Sequence, residues 1–316
     1  MKQVVVIGGG TGVFTVLTGL KEYPLELTAI VTMADDGGSS GILREEFGVL
    51  PPGDIRRALV ALSSSSPVLA RLFRYRFPKG KGLKGHSFGN LFLSTLEKVT
   101  GSFPKAVEEA SRLLGVKGKV IPVTLDDTRL AASLENGLVI RGEGNIDIPK
   151  HDGRLHIKKV SLHPRAKANP AALQAIKQAD TIVMGPGDLY TSIVPNCLVQ
   201  GVKEAIKKSK AKKIYVCNIM TKYGETNEFS AEQFLDVLET YLGKGVIDYF
   251  IVNVSKPQLK YLSGYKKEKA EVVKYNRKLL KNRKKLKVIF ARLLRKGSLL
   301  RHDPKKLARV IYRLTD

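Results

Sequence analysis

Short apolar runs recur between stretches of helical periodicity along most of the chain: Val4 to Ile7, Leu27 to Val31, Val120 to Leu125, Thr181 to Met184, Ile214 to Cys217 and Val246 to Asn253. These runs show little polar alternation, so each reads as a strand buried on both faces. Their alternation with helices predicts a mainly parallel sheet covered on both sides. Helical spacing predicts helices over residues 14–22, 54–62, 89–98, 105–114, 170–178, 195–209 and 231–242, several opening on Pro or Asp, as helix N-termini favour. Between residues 126 and 163 the pattern changes. Leu138 to Arg141 and Leu155 to Val160 read as short strands separated by Gly142-Glu143-Gly144-Asn145 and His151-Asp152-Gly153, which predicts a small β-rich insertion. The expected architecture is α/β: a doubly wound domain over residues 1–255 that carries the insertion, with a C-terminal extension, 256–316, packed on it.

With 316 residues, 43% of them hydrophobic, the chain can bury a large core, which excludes disordered and fibrous classes. Met1-Lys2-Gln3 leads directly into the first strand, and no run approaches the roughly 20 apolar residues that span a bilayer, so a cytoplasmic location is expected. Cys197 and Cys217 lie in apolar surroundings without metal or redox spacing, as buried free thiols do. Charge changes the picture at one end. Residues 256–316 hold 21 Lys and Arg against 4 Asp and Glu, a net +17 of the chain's +25. This basic helical region is either a solvated lysine face or a docking surface for an acidic partner, nucleic acid or an anionic membrane face.

The candidate chemistry sits in loops that follow predicted strands. Gly8-Gly9-Gly10-Thr11-Gly12 stands between the first apolar run and the helical spacing of Phe14, Leu17 and Leu20, as a strand, a tight turn and a helix start. Backbone N–H groups at such a start lack intrahelical partners and suit a phosphate. Val13 occupies the place where a dinucleotide fingerprint needs its third glycine, which weakens an NAD reading and leaves a phosphate turn to which Thr11 adds a hydroxyl. One strand later, Asp35-Asp36-Gly37-Gly38-Ser39-Ser40-Gly41 places paired carboxylates where a doubly wound sheet holds a ribose or another polar ligand group. Asp35, Asp36, Gly37, Ser39 and Ser40 are therefore ligand candidates and Asp36 a candidate general base, with Asx-turn capping as the structural alternative. No third acidic neighbour makes them a dedicated metal site.

Asp54 reads as the N-cap of a helix on which Arg56 or Arg57 could clamp a phosphate. In Gly85-His86-Ser87-Phe88-Gly89-Asn90, His86 is the second acid–base candidate and Asn90 a ligand contact, against a histidine that merely bonds backbone. Gly185, Gly187, Asp188, Tyr190, Thr191 and Ser192 form another loop at a strand end, followed by Asn196 in a helix and by Asn218 after the next strand. Thr191 and Ser192 offer hydroxyls to phosphates, Asn218 a pocket rim, and Tyr190 either stacks on a base or packs.

Gly8 to Gly12, Asp35 to Gly41, Pro51 to Arg56, Gly85 to Leu91, Gly185 to Ser192 with Pro195-Asn196, and Asn218 to Thr221 with Gly224 to Thr226 together resemble the gluconeogenesis factor family, the YvcK-like proteins. They are more distantly similar to the CofD-like phospholactate transferase that builds a deazaflavin cofactor. The resemblance spans nearly the whole chain, and Asp35 to Gly41 favours the YvcK-like branch. It implies a Rossmann-like fold, binding of UDP-sugars such as UDP-N-acetylglucosamine, and a role linking central carbon metabolism to cell-wall precursor supply and cell shape. It also implies a homodimer and no tightly bound cofactor, with magnesium at most accompanying a nucleotide. Under this reading the chain is a non-catalytic or weakly catalytic binder. The alternative is a transferase that moves a phosphoryl-linked group from a nucleotide donor to an acceptor, with Asp36 or His86 as base. Departures from the family pattern fall at Asp188, where Ser is usual, at Lys222-Tyr223, where Gln-Pro is usual, and at Cys197, where Leu is usual.

Overall fold

The computed structural model describes residues 1–297 and 299–315. Its main sheet is parallel throughout and runs β10-β9-β8-β7-β1-β2-β3. The strands are β1 (Lys2–Gly8), β2 (Leu25–Val31), β3 (Lys119–Pro122), β7 (Thr181–Met184), β8 (Lys212–Val216), β9 (Tyr249–Asn253) and β10 (Lys287–Ala291). Helices on both faces cover it, which explains why Val4 to Ile7 and Thr181 to Met184 are buried without alternation. A smaller antiparallel sheet, β5-β4-β6, forms the expected insertion from β4 (Arg129–Leu134), β5 (Val139–Arg141) and β6 (Ile157–His163).

Chain order turns at the centre of the main sheet. From β1 the chain builds outward through β2 and β3 on one side, then returns to β7 on the other and continues to β10. The doubly wound expectation holds, and its switch point lies between β1 and β7.

The helices before the insertion are α1 (Gly10–Leu20), α2 (Gly38–Phe47), α3 (Gly53–Leu62), α4 (Pro67–Arg74), α5 (Phe88–Thr100) and α6 (Phe103–Leu113). Within and after it come α7 (Glu143–Asp147), α8 (Pro170–Gln178), α9 (Val194–Leu198), α10 (Val202–Lys208), α11 (Ala231–Leu242), α12 (Leu262–Lys267), α13 (Arg277–Lys281) and α14 (Pro304–Thr315). The helix expected over 195–209 is split into α9 and α10, because the intervening segment turns at Gly201 with φ +95°. Helix α11 matches its expected bounds. It starts with a capping box in which the Ser230 hydroxyl accepts from Gln233 N–H and the Gln233 side chain accepts from Ser230 N–H. Ser230→Ala should therefore lower unfolding free energy by about 1 kcal/mol in a urea titration; an unchanged midpoint would show that the cap contributes nothing.

The C-terminal region departs most from its sequence pattern. It contains the expected helices but also β10, which pairs with β9 as the edge of the main sheet, and α14, which packs on α1. At that crossing a Cβ on Gly19 would collide with the Pro304 carbonyl, while Leu307, Ala308 and Ile311 are fully buried and Tyr23 stacks on Tyr312. Lysine dominates the composition and hides the apolar contacts of α14 and β10. Of the basic side chains in this region, all but Arg283 are exposed. No helix of the described residues is long and apolar enough to cross a membrane.

Candidate functional site

The glycine turn lies at the switch point. Gly8 ends β1, Gly9 is extended, and Gly10 opens α1 at φ +64°, a conformation that disfavours any side chain. Across from it, the loop after β7 passes so close that a Cβ on Gly12 would collide with the Pro186 carbonyl oxygen. Gly187 N–H donates to Asn218 Oδ1 at 3.2 Å, which ties this loop to the segment after β8. The Ser192 hydroxyl lies against Gly10. Three successive strand ends thus converge on the start of α1.

A cavity of about 890 Å³ opens beside this junction. Thr11, Gly12, Gly187 and Asn218 line it. Lys260, Tyr265 and Arg301 line it too, so the C-terminal region supplies part of the wall. Composition marks that region only as basic, and nothing in the sequence ties it to the glycine turn.

The acidic run is organised differently from an open turn. Gly38 begins α2, and a Cβ on Gly41 would meet the Asp36 carbonyl, so the glycines serve a tight helix start. Asp35 accepts from Gly37 N–H at 3.1 Å, the Asx-turn alternative, and Asp36 accepts from Gly144 N–H at 2.7 Å, holding α7 against the loop. Next to them is a buried network. The Ser39 hydroxyl meets His86 Nδ1 at 3.1 Å, Asn90 donates to Ser39 at 3.2 Å, and Arg56 Nε donates to Asn90 at 2.7 Å. Arg56 also donates to the Phe73 carbonyl at 3.3 Å. Ser39, His86, Asn90 and Arg56 are therefore bonded to one another inside the protein. Ser40 stands with Asp35 against Gly53, where a Cβ would collide with both side chains.

Arg56 thus points away from the glycine turn, and Arg57 takes the place expected of it. One residue along a helix rotates the side chain by about 100°. The Arg57 guanidinium lies beside Gly10 and donates to Asp54 at 3.2 Å. Asp54 is not an N-cap, since Pro52 holds that position; its buried carboxylate accepts from Gly10 N–H instead and joins α3 to the turn. Burial, then Asp35, pushes the Asp54 carboxyl up to about 6 against the pull of Arg57. Glu143 on α7 is pushed up to about 9, first by burial and then by Asp35, Asp147, Asp54 and Asp36. It keeps its proton at neutral pH and can donate a hydrogen bond.

The loop after β7 turns its middle residues inward. Tyr190 is buried, with its hydroxyl donating to the Ile157 carbonyl at 3.3 Å, so it packs against the insertion and does not face the cavity. Thr191 donates to Glu225 Oε1 at 3.1 Å, and Asn196 donates to the Ser192 carbonyl at 2.9 Å from a fully buried position. The Asn196 amide caps the wide helical turn Leu189–Ile193, and the Thr191 hydroxyl ties that turn to the segment after β8. Gly185, Gly187, Asp188 and Ser192 stay at the junction.

Asp188 and Lys222 are bonded to each other: Lys222 Nζ lies 2.9 Å from Asp188 Oδ2 and 3.3 Å from Glu225 Oε1, and it also pairs with Asp147. Burial opposes the Lys222 charge, but Glu225, Asp188 and Asp147 outweigh it and hold the ammonium above its ordinary range. The oxygens of these three carboxylates lie within 4.8 Å of one another, as a magnesium site would require. With an ammonium among them, the residues present do not fit a divalent cation there. Asp147, Glu143, Asp54 and Lys222 were not candidates on sequence grounds; only the Gly142-Glu143-Gly144 turn and the acid at the start of α3 gave a signal.

The chain is similar over residues 4–294 to the family described as 2-phospho-L-lactate transferase CofD. The gluconeogenesis factor of Bacillus subtilis is 42% identical over 98% of this chain and 96% of its own length, and that of Halalkalibacterium halodurans is 44% identical over 98% and 95%. The chain belongs to the gluconeogenesis factor family. A solved Bacillus halodurans structure from the UPF0052 family superposes with a TM-score of 0.93 at 42% identity, covering 98% of this chain and 99% of that one. The gluconeogenesis factor match extends past the end of the CofD match and so takes in α14.

Proposed function

We propose that this gluconeogenesis factor family member binds a UDP-sugar at the junction of the glycine turn and the loop after β7. Through that ligand it links central carbon metabolism to cell-wall precursor supply and cell shape, in the cytoplasm. One observation carries the reading: two glycine loops from β1 and β7 pack on each other at the switch point, beside a cavity large enough for a nucleotide sugar. The N–H groups that follow Gly10 in the first turn of α1, which have no partner within the helix, suit a diphosphate together with the Thr11 and Ser192 hydroxyls and Arg57. Asn218 on the rim holds Gly187 in place. Asp36 and His86, the acid–base candidates, are each engaged in bonds that brace the fold, which favours binding over chemistry at those two positions.

Calorimetric titration with UDP-N-acetylglucosamine, UDP-glucose, GDP and NAD tests the proposal. UDP-sugar binding with intact ligand recovered, and a loss of about tenfold in affinity in Asn218→Ala, is the expected result. Preference for GDP or NAD would refute it. The CofD match and the protonated Glu143 among four carboxylates favour a second reading, a transferase moving a phosphoryl-linked group. In that case ligand would be consumed and Asp36→Asn would stop product formation; sustained turnover in that variant would remove the role.

A further inference from the structure

Lys222 joins three elements: α7 of the insertion through Asp147, the loop after β7 through Asp188, and its own segment after β8 through Glu225. An ammonium has three protons to donate, and here each finds a carboxylate. Glu225 is saturated from the other side as well, accepting from Tyr190 N–H at 3.2 Å and from the Thr191 hydroxyl. Three carboxylates packed this closely repel one another, and the side chain of Glu225 is fully buried, so a positive charge at their centre is required for the arrangement to persist. Lys222 supplies it from within the chain. Asp188, Lys222 and Asp147 also line the cavity with Gly12 and Asn218, so this charge sits at the wall of the proposed ligand site.

We propose that the Lys222 ammonium is a tethered counter-cation standing where a divalent metal ion would otherwise sit. The phosphates of the ligand are then bound with no metal at this cluster, and an uncharged residue at position 222 converts the three carboxylates into a divalent-cation site. The statement about the ligand rests on the proposed UDP-sugar reading; the statement about the cluster does not.

Manganese binding to the chain of residues 1–316, followed by electron paramagnetic resonance without nucleotide, decides the point. The wild type should bind no manganese that Asp188→Asn removes. Lys222→Met should bind one more ion per chain, with a Kd of about 10⁻⁴ M or tighter, as carboxylate-built sites reach, and Lys222→Met/Asp188→Asn should lose it. Circular dichroism checks that the variants fold, and Lys222→Gln serves if the methionine variant does not. Manganese held by the wild type through Asp188 would overturn the proposal, as would a folded Lys222→Met or Lys222→Gln chain that gains no ion. UDP-N-acetylglucosamine affinity in the wild type should be equal in EDTA and in magnesium. A fall of about tenfold in EDTA, absent from Asp188→Asn, would count against the tethered cation. Failure of the UDP-sugar to bind under either condition would sink the ligand reading alone and leave the manganese result to decide this one.

Discussion

Gly12→Ala is expected to destabilise the protein by about 1–3 kcal/mol and to weaken UDP-sugar binding at least about tenfold. The added Cβ meets the Pro186 carbonyl and the Gly187 amide, and both are backbone, so no flexible side-chain end can swing aside. Either α1 or the loop after β7 must move, and the movement separates the groups that would hold a diphosphate. Thermal unfolding and calorimetry measure the two effects. Gly264→Ala is the stability control, because its Cβ would enter open space on α12. Equal melting temperatures and affinities for Gly12→Ala and wild type would show that the two loops are not in contact.

Glu143→Gln is expected to stabilise the protein at pH 8 by about 1 kcal/mol or more, and to have no effect near pH 4. The sign follows from the raised carboxyl. An acid that titrates near 4.5 in the unfolded chain and at about 9 in the fold binds more protons folded than unfolded between those values. Stability is therefore full below pH 4.5 and falls as pH rises toward 9. Glutamine keeps the shape of the protonated acid and removes the titration. Asp54, raised from 3.8 to about 6, adds the same slope at lower pH. Denaturant unfolding of both proteins from pH 4 to pH 9 gives the comparison; parallel curves would mean that Glu143 is ionised in the fold and solvated.

The sheet was legible because buried parallel strands are apolar on both faces, a pattern that survives without any knowledge of neighbours. Helix α11 was legible to the residue because its capping box is local. What escaped were features decided by distant parts of the chain. Strand β10 holds its place by pairing with β9, although Lys287 and its basic flanks read as surface. Arg56 and Arg57 look interchangeable in sequence, and only the orientation of α3 assigns one to the Asn90 network and the other to the glycine turn. Tyr190 carried two meanings, and the position of Ile157 in the insertion chose between them. The charges of Asp188 and Lys222, read singly, were anomalies; they are one ion pair.

The packing of α14 on α1 also bears on how the chain is made. Helix α1 is made almost 300 residues before the apolar residues Leu307, Ala308 and Ile311 that cover it. Strand β1 likewise waits for β7, and the cavity wall at Arg301 comes later still. Until those segments are made, the first βα unit persists with an uncovered face, the kind of surface that holdase chaperones bind. The cavity is complete only once Arg301 has joined its wall, so under the proposed reading the ligand is captured by a chain made at least that far and not by the first βα units alone.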